Sequence, residues 1–206
     1  MTRALFTLLA LSATLASGCL EAEDVPFAAS PDRATFARTC SGPQPAAGEL
    51  RGLVYSLPRE TRSLPAFATL DPVGEICTSG LAVTERNGYP GFPGLPERFE
   101  WFGIDFRGGF LVAQAGTFHF RLTSDDGSRL FIDGAPVIDN DGFHWTRARE
   151  GAVSLAAGPH TIDVPYWQGP GPMALVLEVA SPGEPYGLFS AGRPLGPGVE
   201  APLVSP

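Results

Sequence analysis

Between residues 117 and 123 every second position is apolar: Phe118, Phe120 and Leu122 alternate with Thr117, His119, Arg121 and Thr123. This is the two-residue period of a strand with one buried face. The same period recurs at Ile162, Val164 and Tyr166, and again at Met173, Leu175, Leu177 and Val179. Residues 129–132 and 135–138 flank Asp133-Gly134, a dipeptide that favours the type I′ turn of a tight hairpin. A first strand is expected over 50–56. Pro165 interrupts its strand pattern; it has no N–H for a ladder, so that strand is expected at a sheet edge or with a bulge. Residues 57–97, dense in Pro and Gly, are expected as long loops crossing one face of the sheet. No window carries a helical period and no internal repeat is found. Short strands separated by Gly, Asp and Pro indicate an all-β fold, sandwich or barrel.

The ends change the picture. Arg3 is followed by an almost wholly apolar run, Ala4–Ala16, too short for an ordinary membrane span, and then by Ser17-Gly18-Cys19. Residues 1–18 therefore read as a signal peptide. Leu15-Ala16-Ser17-Gly18-Cys19 resembles the lipobox of bacterial lipoproteins, in which the cysteine is acylated and becomes the mature N-terminus. It departs from the usual pattern in having Ala16, rather than Leu, three places before the cysteine. Acylation of Cys19 would anchor the chain to a membrane; the plainer reading is a cleaved signal peptide with Cys19 an ordinary thiol. Residues 19–48 read as a tether and 181–206, crowded with Pro and Gly, as a flexible tail. The segment 49–180 between them is long enough for one core.

Export would permit a disulfide between Cys40 and Cys77, although two free thiols are equally compatible with the sequence. The net charge of −8 argues against nucleic acid and against an anionic-lipid surface as partners.

Residues 116–142, GTFHFRLTSDDGSRLFIDGAPVIDNDG, closely resemble the core of the PA-14 domain family. All elements of the family pattern stand in order: an aromatic strand, Ser-Asp-Asp-Gly-Ser, Leu-aromatic-Ile-Asp-Gly and Val-Ile-Asp. Gly151–Leu155, Ala157–His160 and Tyr166–Pro170 match later family strands and turns, and Phe99, Trp101, Phe102 and Phe106 an aromatic run before the core. The resemblance covers about 48–180. It implies an antiparallel β-sandwich for 49–180. In sugar-binding members of the family, adjacent aspartates joined by a cis peptide bond turn both carboxylates toward one calcium ion, which accepts sugar hydroxyls. Carried over, Asp125 and Asp126 are the implied calcium ligands, with Trp167 and Gln168 in the adjoining 166–172 loop as further carbohydrate-binding candidates.

This chain departs from that pattern in having no asparagine or aspartate in Trp167–Pro172. Gln168 could offer its amide oxygen there, and Trp167 could stack on a sugar or pack in the core. Asp-Asp-Gly-Ser is also ordinary turn chemistry, with Gly127 supplying a positive φ. Asp139-Asn140-Asp141-Gly142 lacks the downstream glutamate of an EF-hand and reads as a tight turn. His119, His144 and His160 show no metal-binding spacing; His119 is expected on a solvated strand face and His144 near the candidate loop. Ser128 and Ser154 lie outside a Gly-x-Ser-x-Gly context, and no catalytic domain accompanies the module, so an enzyme is not expected.

The leading expectation is a lipoprotein of the bacterial cell envelope, at the outer membrane or cell surface, whose module binds a glycan or polysaccharide with the help of calcium. The alternative is a structural or protein-interaction module with neither sugar nor metal.

Overall fold

The computed structural model describes Cys40 and residues 46–196. Residues 1–18 expected as a signal peptide, Cys19, most of the expected tether 19–48 and residues 197–206 lie outside the described residues. Thirteen strands run in chain order: β1 (Leu50–Ser56), β2 (Gly74–Thr78), β3 (Ala82–Arg86), β4 (Gly91–Phe92), β5 (Leu95–Pro96), β6 (Phe102–Val112), β7 (Gly116–Asp125), β8 (Ser128–Ile132), β9 (Ala135–Asn140), β10 (Arg147–Leu155), β11 (Gly158–Gln168), β12 (Met173–Ala180) and β13 (Gly187–Leu188). Six form a sheet in the order β2-β1-β6-β11-β8-β9. A second sheet runs β10-β7-β12, with β13 and β3 both pairing with β12. All named strand pairs are antiparallel.

The core lies between the sheets, where alternation places it. Phe118, Phe120 and Leu122 of β7 are buried, with Leu175 and Leu177 of β12, against Ile104 and Phe106 of β6 and Ile162, Val164 and Tyr166 of β11. His119 is exposed on the opposite face of β7. Asp133 and Gly134 adopt φ of 50° and 76°, the two positive values that the tight β8–β9 turn requires. Gly151 of β10 has a different reason: a Cβ there would lie 2.3 Å from the Val137 carbonyl oxygen, because β9 passes against β10 as the chain changes sheets.

Three expectations are corrected. Pro165 does not put β11 at an edge; β11 lies between β6 and β8. The Trp167 N–H donates to the Gly127 carbonyl at 2.9 Å, so by alternation the N–H that Pro165 lacks would face β8. There the ladder pairs Asp163 and Tyr166 but skips the two residues between. Residues 57–97 are not only loops. β2 extends one sheet and β3 the other, and Phe67 joins Tyr55, Leu57 and Trp167 in a second apolar cluster. The tail expected from 181 packs onto the domain as far as it is described. Phe189, Ala191 and Leu195 are buried, Phe189 edge-on to Phe110 at 5.6 Å, and Leu195 bridges to Val112. Single apolar residues among Pro and Gly carry no period, but each here fills a gap beside β6 or β12. Cys40 and Cys77 are joined as a disulfide, which ties the segment before β1 to β2.

At the far end of the β8–β9 hairpin, Asp133 accepts hydrogen bonds from the Thr161 N–H at 2.8 Å and from His160 Nδ1 at 2.6 Å, while His160 Nε2 lies 2.9 Å from the Ala156 carbonyl. The bond to Asp133 holds His160 above its ordinary pKa. The stability this pair contributes is therefore full below about pH 6.5 and lost as pH rises through the folded value. His160→Gln should cost more stability at about pH 5.5 than at about pH 8.5, by about 1 kcal/mol or less because Asp133 is half exposed, and so lower the melting temperature more at the acid value. Equal losses at both values would contradict the pairing.

Candidate functional site

Three passages of the chain between the sheets meet at one end of the sandwich. β7 reaches β8 through Asp126 and Gly127, β9 reaches β10 through 141–146, and β11 reaches β12 through 169–172. Asp125 is the last residue of β7, paired with Ala174 of β12, and its peptide bond to Asp126 is cis. Both aspartates are buried.

Asp126 joins the three passages. One carboxylate oxygen accepts the His144 N–H at 3.1 Å and the other the Gly169 N–H at 2.7 Å. Asp125 accepts the Thr146 hydroxyl at 3.2 Å through its side chain, and its backbone carbonyl accepts the Tyr166 hydroxyl at 2.7 Å. Burial, and then the adjacent Asp126, push Asp125 up to about 6. Burial raises Asp126 as well, against the opposing pull of the Gly169 and His144 N–H groups. Two acids side by side in a low-dielectric pocket favour either a proton or a cation between them.

The sequence candidates of the 166–172 loop divide differently. Gln168 is buried, its oxygen beside the Tyr166 hydroxyl and its Nε2 donating to the carbonyls of Gly169 at 3.0 Å and Pro172 at 2.8 Å. Its amide shapes the loop from beneath and is not offered to a ligand. Trp167 is also fully buried, in the cluster with Tyr55, Leu57 and Phe67, and its indole N–H donates to Asp141 at 3.2 Å. The aromatics that face outward are ones the sequence reading passed over. Phe143 is half exposed and stacks on Trp167 at 6.3 Å, with the Arg62 guanidinium 5.0 Å over its ring. Trp145 is 79% exposed. Both belong to the passage that also supplies His144 and Thr146. Alternation could not show this, because the loop has no period and exposure there follows from the hydrogen bonds of His144 and Thr146.

Asp139-Asn140-Asp141-Gly142 departs from the tight turn expected of it: Asp139 and Asn140 end β9, paired with Arg129 and Ser128 of β8, and the chain bends only at Gly142, at φ 112°. Asp139 accepts the Asp141 N–H at 3.0 Å. Asp141 accepts the N–H groups of Leu64 at 2.9 Å and Gly142 at 2.7 Å, and Asn140 bonds Ser124 and Arg147. Ser128 donates to Ser124 beneath them at 2.7 Å, and Ser154 is exposed beside Thr117. Gly127 differs from expectation in that its φ is outside the positive range. It is glycine because a Cβ would fall 2.3 Å from Trp167 Nε1 and 2.6 Å from Asp141 Oδ1.

Calcium takes six to eight oxygen ligands. Asp125 and Asp126 supply carboxylate oxygens of the right kind, but among the described residues no group of three or more His, Cys, Asp or Glu is placed to hold a metal. The pair thus fits a hard cation as part of a coordination shell, with the remainder left to backbone carbonyls, water and ligand oxygens.

The sequence family described as PA14 domain matches residues 84–188. Among solved structures, the chain resembles the PA14 sugar-binding domain from an RTX adhesin at 23% identity, covering 73% of this chain and 99% of that one with a TM-score of 0.62. It resembles the PA14 domain of the MpAFP antifreeze protein at 21% identity, 75% and 94% coverage and a TM-score of 0.60. The Epithelial Adhesin 9 A domain from Candida glabrata, solved in complex with Galb1-3GlcNAc, matches at 14% identity, 76% and 97% coverage and a TM-score of 0.51. Identities at this level establish a shared fold. No curated protein matches.

Protonating Asp125 relieves the folded state, so the stability this group contributes is full below the unfolded carboxylate value near 4 and lost as pH rises through about 6. In chelator, Asp125→Asn should stabilise the fold by roughly 1–3 kcal/mol at about pH 7.5, raising the melting temperature, and change it little at about pH 4. Thermal melts at both values check this; a variant with the same pH dependence as the parent would contradict it.

Proposed function

From the premise that this chain belongs to the PA14 domain family, we propose that it is an exported carbohydrate-binding module of the bacterial cell envelope. In this reading acylated Cys19 holds it at the membrane, and its ligand end is the junction of the three passages between sheets. The observation that carries the reading is the buried Asp125-Asp126 pair with its cis peptide bond, set beside outward-facing aromatics. Asp125 and Asp126 would hold a calcium ion. When bound, that ion supplies a site at which vicinal sugar hydroxyls replace water as oxygen ligands. Phe143 and Trp145 offer apolar faces to the ring carbons. The sugar-binding RTX adhesin domain and the glycan complex of the Epithelial Adhesin 9 A domain make carbohydrate the reading to test first.

One observation favours a second reading, a structural or protein-interaction module. Gln168 is fully buried, its Nε2 bonded to the carbonyls of Gly169 and Pro172, so no amide side chain of the 166–172 loop is free to complete the shell.

Calorimetry with calcium chloride, followed by a glycan array in calcium and in chelator, separates the two. The first reading expects calcium heat in the parent and none in Asp126→Asn, with glycan signal lost in chelator; because the amide keeps an acceptor for only one of the two loop N–H groups, Asp125→Asn, whose amide oxygen still accepts the Thr146 hydroxyl, should lose the calcium heat as well. Trp145→Ala should keep the calcium heat and weaken glycan binding about tenfold or more, on the scale of one aromatic contact. No calcium heat in the parent, and glycan signals indifferent to chelator and to Asp126→Asn, would overturn it.

A further inference from the structure

The described residues expose four aromatic side chains: Tyr89 at 82%, Phe99 at 37%, Phe143 at 50% and Trp145 at 79%. Exposed apolar side chains scattered singly need no explanation, but aromatics gathered at one place do. These four fall into two pairs. Phe143 and Trp145 belong to the passage from β9 to β10. Tyr89 and Phe99 stand either side of the small β4–β5 hairpin, their rings parallel within 3° and 6.2 Å apart. The other exposed large apolar residues, Val73, Leu111 and Leu188, are on separate elements.

The two aromatic pairs flank the same stretch of chain. On one side, a Cβ at Gly169 would meet Asp126 Oδ2 at 3.0 Å and the Phe143 ring at 3.2 Å. On the other, a Cβ at Gly88 would meet the Gly171 carbonyl oxygen at 3.5 Å and the Phe99 carbonyl oxygen at 3.7 Å. Gly169 and Gly171 are two residues apart, within about 7 Å along the chain. The strip Gly169-Pro170-Gly171, two glycines around one exposed proline, therefore separates an aromatic pair beside the carboxylates from a second pair beyond it. A glycan of several rings extending from Asp125-Asp126 across Gly169-Pro170-Gly171 would meet aromatic faces on both sides of that strip.

Resting on the carbohydrate reading above, we propose that Tyr89 and Phe99 form a second subsite, and that the ligand is an uncharged oligosaccharide or polysaccharide of more than one ring. The net charge of −8 disfavours an anionic polymer. The Tyr89 hydroxyl adds a hydrogen-bonding group at the edge of the platform.

The test uses native electrophoresis in calcium through gels containing dextran, laminarin or galactomannan. Calorimetry then follows with a fragment ladder, from monosaccharide to hexamer, of whichever polymer retards the protein. The parent should gain about tenfold in affinity as the ladder lengthens past the first rings, and Tyr89→Ala and Phe99→Ala should lose that gain while melting like the parent. Val73→Ala, at an exposed apolar position elsewhere, should keep it. Affinity independent of length, or a gain retained in both variants, would overturn the second subsite and leave the carbohydrate reading standing. No retardation by any of the three polymers would overturn this proposal, and an empty glycan array alongside it the carbohydrate reading too.

Discussion

The end of this sandwich that faces its candidate ligand is organised by one carboxylate. Asp126 takes the N–H of His144 on one oxygen and the N–H of Gly169 on the other. It thereby fastens the passage out of β9 and the passage out of β11 to the turn out of β7. Buried N–H groups need acceptors, and charge-assisted bonds to a carboxylate are the stronger kind. Burial, and then the second acid beside it, push Asp125 up to about 6. What closes the loops therefore also creates an electrostatic imbalance, and a bound cation or a proton is what relieves it.

Close packing around this point determines where side chains can exist. Gly127 has no room for a Cβ because the Trp167 indole and Asp141 press against it, and Gly169 has little because Asp126 and Phe143 do. Trp167 buried below and Phe143 stacked above make a rigid wall. The outward ring is thus held by the inward one. The loops carry little regular structure, but they are tied to two sheets by Asp126, Asp141 and Gln168. A site pre-ordered in this way loses little entropy when a ligand arrives.

Much of the fold was legible from local pattern. The alternation at 117–123, the Asp133-Gly134 turn and the strand at 50–56 describe strands whose side chains have one buried face, and alternation reports that face directly. The Asp-Asp pair was legible as a motif. What escaped were features set by tertiary neighbours. Pro165 sits mid-sheet because its missing N–H faces a gap in the β8 ladder. β2 and β3 are short strands in a Pro- and Gly-rich stretch, and Phe189 and Leu195 are isolated apolar residues without a period. The site itself was half legible. Its carboxylates stood in the sequence. Nothing local distinguished Trp167, which turns inward, from Trp145, which turns out, since that choice is made by Asp141 and by the second apolar cluster beneath it.

Together, Asp125 and Asp126 are proposed to hold a cation for a glycan. A crystal structure grown in calcium chloride is expected to show an ion about 2.3–2.6 Å from oxygens of both aspartates, with Phe143 and Trp145 flanking open coordination positions. A well-ordered pocket holding only water, with Asp125 and Asp126 bonded solely to Thr146, His144 and Gly169 at saturating calcium, would contradict it.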